Sequence, residues 1–486
     1  MKILIAGSEV SPLVKTGGLG DVLGSLPNAL QKLGNDVRIF LPYYREIDKL
    51  KPKTQTIIPE ARLNVPAGTI EYKVELLLDH NLSTGHFLIV NDIYFGREGI
   101  YLDPATNSEY ADNDERYAFF CRAILDCTQK QNWQPDIIHL NDWHTSLIAV
   151  FLKTIEKNNK FFETTKTVLT IHNMAYQGKF DKGRYYLLGL PDELVQTAGP
   201  MENNGKTNFL KGGISFSDKI VTVSQTYARE IQNDQGCGLE SLLKERARDL
   251  SGIINGVDSA VWNPNTDKNI FSRYRISNLS GKKVNKIELL NEIGLPVRSK
   301  VPLIGIVSRL VEQKGIDLIL RGSQKLFKNN IQIVILGTGE KRLEFELTAL
   351  SNLYPDRLKV FLKFDEVLAH KIEAASDIFL MPSMFEPCGL NQMYSLKYGT
   401  PPVVHKVGGL ADTVKEFDPE TGEGNGFLFD KFNSRSMLAA VNRAISLYEK
   451  KRTWTKLMKN GMKLDLSWDE SAKKYHKLFK TLVNGG

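Results

Sequence analysis

Two cations five residues apart, Arg309 and Lys314, lie in SRLVEQKG (Ser308–Gly315), directly after the apolar run LIGIVS. Fixed positive charges in a loop that enters a helix suit a diphosphate leaving group, whose departure builds negative charge. A second basic loop opens the chain: Lys15 stands just before Gly17, Gly18 and Gly20 in KTGGLGDV (Lys15–Val22), after the run KILIAG. Glycine lets a backbone come close to a ligand. A helix start adds amide N–H groups and a partial positive charge that suit a phosphate. The loop is not a dinucleotide fingerprint, because Leu23 stands where GxGxxG needs its last glycine. Carboxylates and imidazoles occupy comparable places elsewhere. Asp142 lies in HLNDWH, His172 and Asn173 follow TVLTI, and Glu386 opens EPCGLNQ ahead of a helical pattern through Met393, Leu396 and Lys397. A carboxylate at a helix start also has a purely local reason to be there. Cys388 has no histidine near it in sequence to activate it as a nucleophile. The His139–His144 pair lacks a defined third ligand, so no metal site is expected.

These residues need elements to hold them. In the first half, short β-rich runs appear at Lys2–Ala6, Asp36–Leu41, Phe87–Val90, Ile137–Leu140, Val168–Ile171 and Ile220–Val223. Helical patterns such as Glu115–Cys127 and Thr145–Lys153 separate most of them. In the second half the runs are Leu303–Val307, Ile331–Leu336, Leu358–Leu362, Ile378–Met381, Pro402–His405 and Gly426–Phe429. Short, apolar, β-branched strands with helices between them predict parallel sheets covered on both faces. A region punctuated by Pro42, Pro52, Pro59 and Pro66 carries an extra hairpin at TIEYKVELLLD (residues 69–79). The Asn/Pro/Asp cluster after IINGVD is a loop, and the domain boundary is placed near Gly256. The expected fold is α/β, with two doubly wound Rossmann-like domains facing a central cleft. Such domains bind ligands at the carboxyl ends of their strands, and the unusual residues fall there in both halves. The last segment carries Ala472, Tyr475, Leu478, Phe479 and Leu482 on one face.

Composition narrows the function class. With 42% hydrophobic and 24% charged residues the chain reads as a globular protein. A net charge of +7 permits an anionic substrate without a basic block of the nucleic-acid type. Four cysteines are too few for a disulfide scaffold. The opening MKILIAGSEVSP reads as a first strand rather than a signal peptide, and no run approaches the length of a membrane span. A cytoplasmic protein with no nucleic-acid or membrane partner is expected.

SEVSPLVKTGGLGDV resembles the N-terminal signature of bacterial glycogen synthases and plant starch synthases, retaining glycosyltransferases of family 5 with the GT-B fold. NDERYAFF, NDWH, HNMAYQG, VSQTYAREI, INGVD, SRLVEQKG and EPCGLNQ extend the resemblance over nearly the whole chain. It implies domains of 1–256 and 257–466, with a helix at 467–486 returning to the first. It also implies transfer of glucose from ADP-glucose to the non-reducing end of an α-1,4-glucan, with no cofactor and no metal. Lys15, Arg309 and Lys314 would steady the diphosphate; Asp142, His172 and Glu386 would position the glucose. Gly17, Gly18, Asp21, Asn173, Asn255, Gly337, Phe364, Cys388, Gly389, Leu390, Asn391, Gly408 and Gly409 would complete the substrate site, Gly408 and Gly409 through their amides and Phe364 beside the base.

The chain departs from the family pattern at five places. Asn141 replaces a common His, Tyr394 a second Glu found in other members of the fold, and Asn391 a Thr. Val407 replaces a Thr, and Phe364 a Tyr that stacks on the base in some relatives. Alternatives are the same reaction with UDP-glucose, or a glucan-binding protein on an inactive synthase fold. A pyridoxal-phosphate phosphorylase would need a longer chain, and a glycosidase using Asp142 and Glu386 would leave the cationic loops unexplained.

Overall fold

Apolar β-branched runs become parallel strands, and away from the sheet edges their successive side chains are mostly buried, because helices cover both faces. The protein is described here by a computed structural model covering residues 1–66, 68–78 and 84–485. Its contacts divide the chain into two units, Met1–Gly256 with Trp468–Gly486, and Val257–Ser467.

In the first unit nine strands form one sheet: β1 (Lys2–Ala6), β2 (Asp36–Pro42), β3 (Thr54–Val65), β4 (Gly68–Leu77), β5 (Gly85–Val90), β6 (Ile137–Asn141), β7 (Lys166–Ile171), β8 (Lys219–Thr222) and β9 (Leu250–Gly252). The order is β9-β8-β7-β6-β1-β2-β5-β4-β3. All neighbours run parallel except β3–β4 and β4–β5. The order reverses between β1 and β6, which pair in parallel. The helix Gly18–Lys32 buries Val22, Leu23, Leu26, Ala29 and Leu30. It starts four residues earlier than the apolar spacing indicates, because its first turn is glycine-rich and carries only Leu19 as an apolar residue. β3 was not foreseen, since Pro59 argues against a strand. It is an edge strand, and its register shifts between Ile58 and Ala61, where proline is tolerated. Asp79, the last residue of the expected hairpin, lies outside the described residues. The final helix Trp468–Asn484 buries Ala472, Tyr475 and Phe479. Tyr475 and Phe479 lie 5.3 Å and 5.6 Å from the His139 ring.

The second unit carries β10 (Leu303–Val307), β11 (Gln332–Leu336), β12 (Leu358–Phe361), β13 (Ile378–Met381), β14 (Pro402–His405) and β15 (Phe427–Phe429). Their order, β12-β11-β10-β13-β14-β15, is that of a dinucleotide-type doubly wound sheet, parallel throughout. Here the order reverses between β10 and β13. The helix Ile316–Leu326 buries Ile316, Ile319 and Ser323 against the sheet. No helix among the described residues is long and apolar enough to cross a membrane.

Candidate active site

Each sheet reverses its order next to its first strand, and the loops that leave the two strands flanking that point diverge and leave room for a ligand. In the first unit these are the loops after β1 and β6; in the second, those after β10 and β13. Each pair supplies one lysine and one acidic residue from the predicted set.

In the first unit, Lys15 Nζ is 2.6 Å from Asp21 Oδ1, and both side chains remain accessible. Gly20 makes this possible, since its Cα lies under the Lys15 stem: a Cβ there would sit 3.0 Å from Lys15 Cγ. A Cβ on Gly17 or Gly18 would meet nothing within 4 Å. The protein's own packing therefore gives no reason for glycine at those two positions. Glu9 was not foreseen as a site residue. Its buried carboxylate accepts from Thr16 N and Thr16 Oγ1 at 2.6 Å, from Gly17 N at 3.1 Å and from Tyr101 Oη at 2.7 Å. The amides of Thr16 and Gly17, just ahead of the helix, are thus taken by a carboxylate and are not open to a phosphate. The signal was a lone Glu inside SEVSP, between a strand and the loop onto which it folds back.

Asp142 occupies the N-cap position of the helix Trp143–Lys153 without a side-chain capping bond, at φ +57°, a backbone conformation rare outside glycine. Its Oδ1 accepts from His172 N at 2.8 Å. Burial raises its pKa to about 7 despite the amides of His172 and Asn173, and the nearby charge of Glu9 pushes the same way. His172 Nε2 lies 3.0 Å from Asn141 Oδ1, and burial lowers its pKa to about 3. Asn173 spends its side-chain oxygen on Ala175 N at 3.0 Å. Asn255 is buried in the same unit, and its Oδ1 has no partner among the described residues. His139 and His144 go separate ways. His139 Nε2 bonds Thr170 Oγ1 at 2.7 Å, while His144 stacks on Trp143 at 3.9 Å.

In the second unit, Lys314 Nζ is 2.5 Å from Glu386 Oε2, an ion pair with little solvent access. Ser383 Oγ, also missed in the sequence, donates to the same oxygen at 3.0 Å. The turn that aims Lys314 ends at Gly315, with φ +70° and Pro382 O where a Cβ would be. Arg309 is exposed and makes no ion pair with a described residue. Phe364 is 87% exposed in the loop after β12.

The glycines of this half differ from Gly17 and Gly18. A Cβ on Gly337 would lie 1.8 Å from Ser308 O, and on Gly408 2.0 Å from Glu386 O. Gly409 N donates to Glu386 O at 3.0 Å and Pro387 O at 3.2 Å. The expected gift of that amide to a phosphate is thus corrected: it joins the Glu386 loop to the loop after β14. Cys388 is buried, Gly389 turns with φ +71°, and Leu390 precedes the helix Asn391–Lys397. Asn391 Nδ2 donates to Val307 O at 2.5 Å, tying that helix to the end of β10.

Comparison with known proteins bears on both halves. Residues 2–245 match the family described as starch synthase catalytic domain, and residues 292–460 match glycosyl transferases group 1. Over 99% of its length the chain is 44% identical to the glycogen synthase of Thermotoga maritima, covering 98% of that protein. It is 43% identical to the glycogen synthase of Alkaliphilus metalliredigens, over 99% of this chain and 100% of that protein. The catalytic domain of starch synthase IV from Arabidopsis thaliana, solved bound to ADP and acarbose, matches with a TM-score of 0.88 at 31% identity, over 99% of each chain. Sucrose-phosphate synthase from Thermosynechococcus elongatus shares the fold alone, at 16% identity and a TM-score of 0.59 over all of each chain.

Proposed function

The chain belongs to the glycogen and starch synthase family of glycosyltransferases, and from that premise we propose that it transfers glucose from ADP-glucose to the non-reducing end of an α-1,4-glucan with retention of configuration. The observation that carries this reading is the pairing of a lysine and a carboxylate across the switch point of the second sheet, Lys314 with Glu386. Breaking the bond from glucose C1 to the diphosphate oxygen leaves positive character on the sugar and negative charge on the leaving group. A lysine beside a carboxylate answers both charges from one place. The ADP and acarbose bound to the plant relative support a nucleotide donor and a glucan acceptor.

In this reading Lys314 shifts its hydrogen bonding from Glu386 to a diphosphate oxygen when the donor binds. Ser383 keeps hold of Glu386 as it does so. Arg309 and Lys15 supply further positive charge, and preorganised charge of this kind is the largest source of rate in such a reaction. Asp142, His172 and Glu386 hold the glucose hydroxyls and steady its positive character. Gly17 and Gly18 leave room, with Asp21, Asn173 and Asn255 on the same side. Phe364 offers a face to the base. Gly337, Cys388, Gly389, Leu390, Asn391, Gly408 and Gly409 shape the wall around the diphosphate and glucose.

The test is glucose transfer to glycogen from ADP-glucose and UDP-glucose side by side, following released nucleoside diphosphate and incorporated glucose. Matched release and incorporation, faster with ADP-glucose, is expected. Faster transfer from UDP-glucose overturns the choice of donor. Glucan binding without release from either donor overturns the enzyme and leaves a binding protein on this fold.

A further inference from the structure

Asn141 ends β6 and is wholly buried between two neighbouring strands. Its side chain bridges them. Nδ2 lies 3.0 Å from Ala6 O at the end of β1 and 3.4 Å from His139 O, and Oδ1 lies 3.0 Å from His172 Nε2 just past β7. The amide cannot be turned over. Reversal would set Oδ1 against two carbonyl oxygens, and a buried acceptor facing acceptors is costly. Its backbone is fixed as well: Asn141 N donates to Thr145 Oγ1 at 2.7 Å, and that hydroxyl donates back to Asn141 O at 3.1 Å. An amide oxygen only accepts, so His172 Nε2 must carry a proton. Burial keeps the ring neutral, with its pKa near 3. A neutral imidazole has one N–H, so Nδ1 bears a lone pair, and no described residue bonds to it. The backbone of the same residue is tied too, with His172 N on Asp142 Oδ1 at 2.8 Å.

We propose that Asn141 is a positioning residue: its amide locks His172 as the Nε2–H tautomer and presents Nδ1 as an acceptor for a hydroxyl of the bound sugar. The inference rests on the glucosyl-transfer reading and sharpens it. A histidine at position 141 would carry one donor and one acceptor that can trade places by tautomerism, so the pair could invert together. An amide cannot do this. The site therefore takes a ligand hydroxyl as donor, and it discriminates against a group in its place that can only accept.

The full chain is labelled with 15N at its eight histidines and two-bond proton–nitrogen correlations are recorded at pH 7, the His172 pattern being assigned by its loss in His172→Ala. A single Nε2–H pattern is expected, joined by a second tautomer in Asn141→His. An Nδ1–H or doubly protonated ring in the unsubstituted protein overturns the proposal. The kinetic arm uses ADP-glucose analogues with each glucose hydroxyl replaced in turn by hydrogen or fluorine. At the hydroxyl whose loss is silent in His172→Ala, both replacements should cost about tenfold in kcat/KM, because fluorine accepts but cannot donate. Full activity of the fluoro analogue there, or no hydroxyl behaving in this way, also overturns it. Absence of transfer from the parent donor sinks the proposed function and the sugar hydroxyl with it, while the spectrum still decides the tautomer.

Discussion

The two domains share the arrangement of strands around their switch points and differ in what the charges there meet. Each offers a lysine from the loop after its first strand and a carboxylate from the loop across the switch point. In the second unit these two meet, Lys314 on Glu386 at 2.5 Å. In the first they do not: Lys15 pairs with Asp21 at 2.6 Å, and Asp142 is buried on backbone amides with its pKa raised to about 7. Desolvation leaves Asp142 poised to take a proton, whereas Glu386 has a lysine against its carboxylate. Topology fixes where a charge stands, while its immediate neighbours fix what it meets.

The largest break should come from the paired half. Lys314→Ala is expected to lower kcat by roughly 10²-fold or more, the scale of losing one donor to a transition-state charge. It also leaves Glu386 buried with Ser383 as its only side-chain donor among the described residues. Lys15→Ala, which removes an ion pair accessible to solvent, should cost less. Near-normal turnover of Lys314→Ala in single-turnover assays would remove the ion pair from the mechanism.

Asp142 sharpens the contrast through pH. With the ionised form active, kcat/KM should fall about tenfold per unit below pH 7, and Asp142→Asn should lose that acid limb along with much of its rate. Stability runs the other way. The folded pKa of about 7 lies above the ordinary 3.8, so the folded state holds the proton more tightly. Its stabilising contribution is complete below about pH 3.8 and is lost as pH climbs to about 7. Melting temperatures of Asp142→Asn should therefore gain on the unsubstituted protein between pH 4 and pH 7 and no further above. A difference independent of pH would show that Asp142 does not titrate there.

Glu9 comes next. Glu9→Gln keeps the shape but offers one acceptor oxygen in place of two charged ones. The loop of Lys15 should loosen, lowering kcat/KM about tenfold. A variant with unchanged donor KM and kcat would mean that Glu9 serves the fold alone.

Much of this was legible in the sequence because it is local. β10 spans Leu303–Val307, the same residues its apolar run marks, and the loops after the strands carry the residues that the motifs single out. What was illegible is tertiary. Glu386 and Lys314 are 72 residues apart, and nothing in either motif says that they touch. Glu9 is seven residues from Thr16, yet its fold-back depends on the glycine loop curling over it. The β3 strand hid behind Pro59, because an edge position is a property of the sheet and not of the segment.

Glycine is where sequence says least, and it gives the smallest expected effect. At Gly337 a Cβ would sit 1.8 Å from a backbone oxygen, whereas at Gly17 it would meet nothing within 4 Å at an ordinary extended φ of −153°. Gly17→Ala should therefore leave stability within about 0.5 kcal/mol of the unsubstituted protein while raising the donor KM a few-fold, because the methyl enters space left for ligand. Gly337→Ala should melt distinctly lower, since backbone must move. Thermal melts beside donor titrations separate the two cases. If Gly17→Ala melts as low as Gly337→Ala, the first loop is packed as tightly as the second, and the room assigned to a ligand is not there.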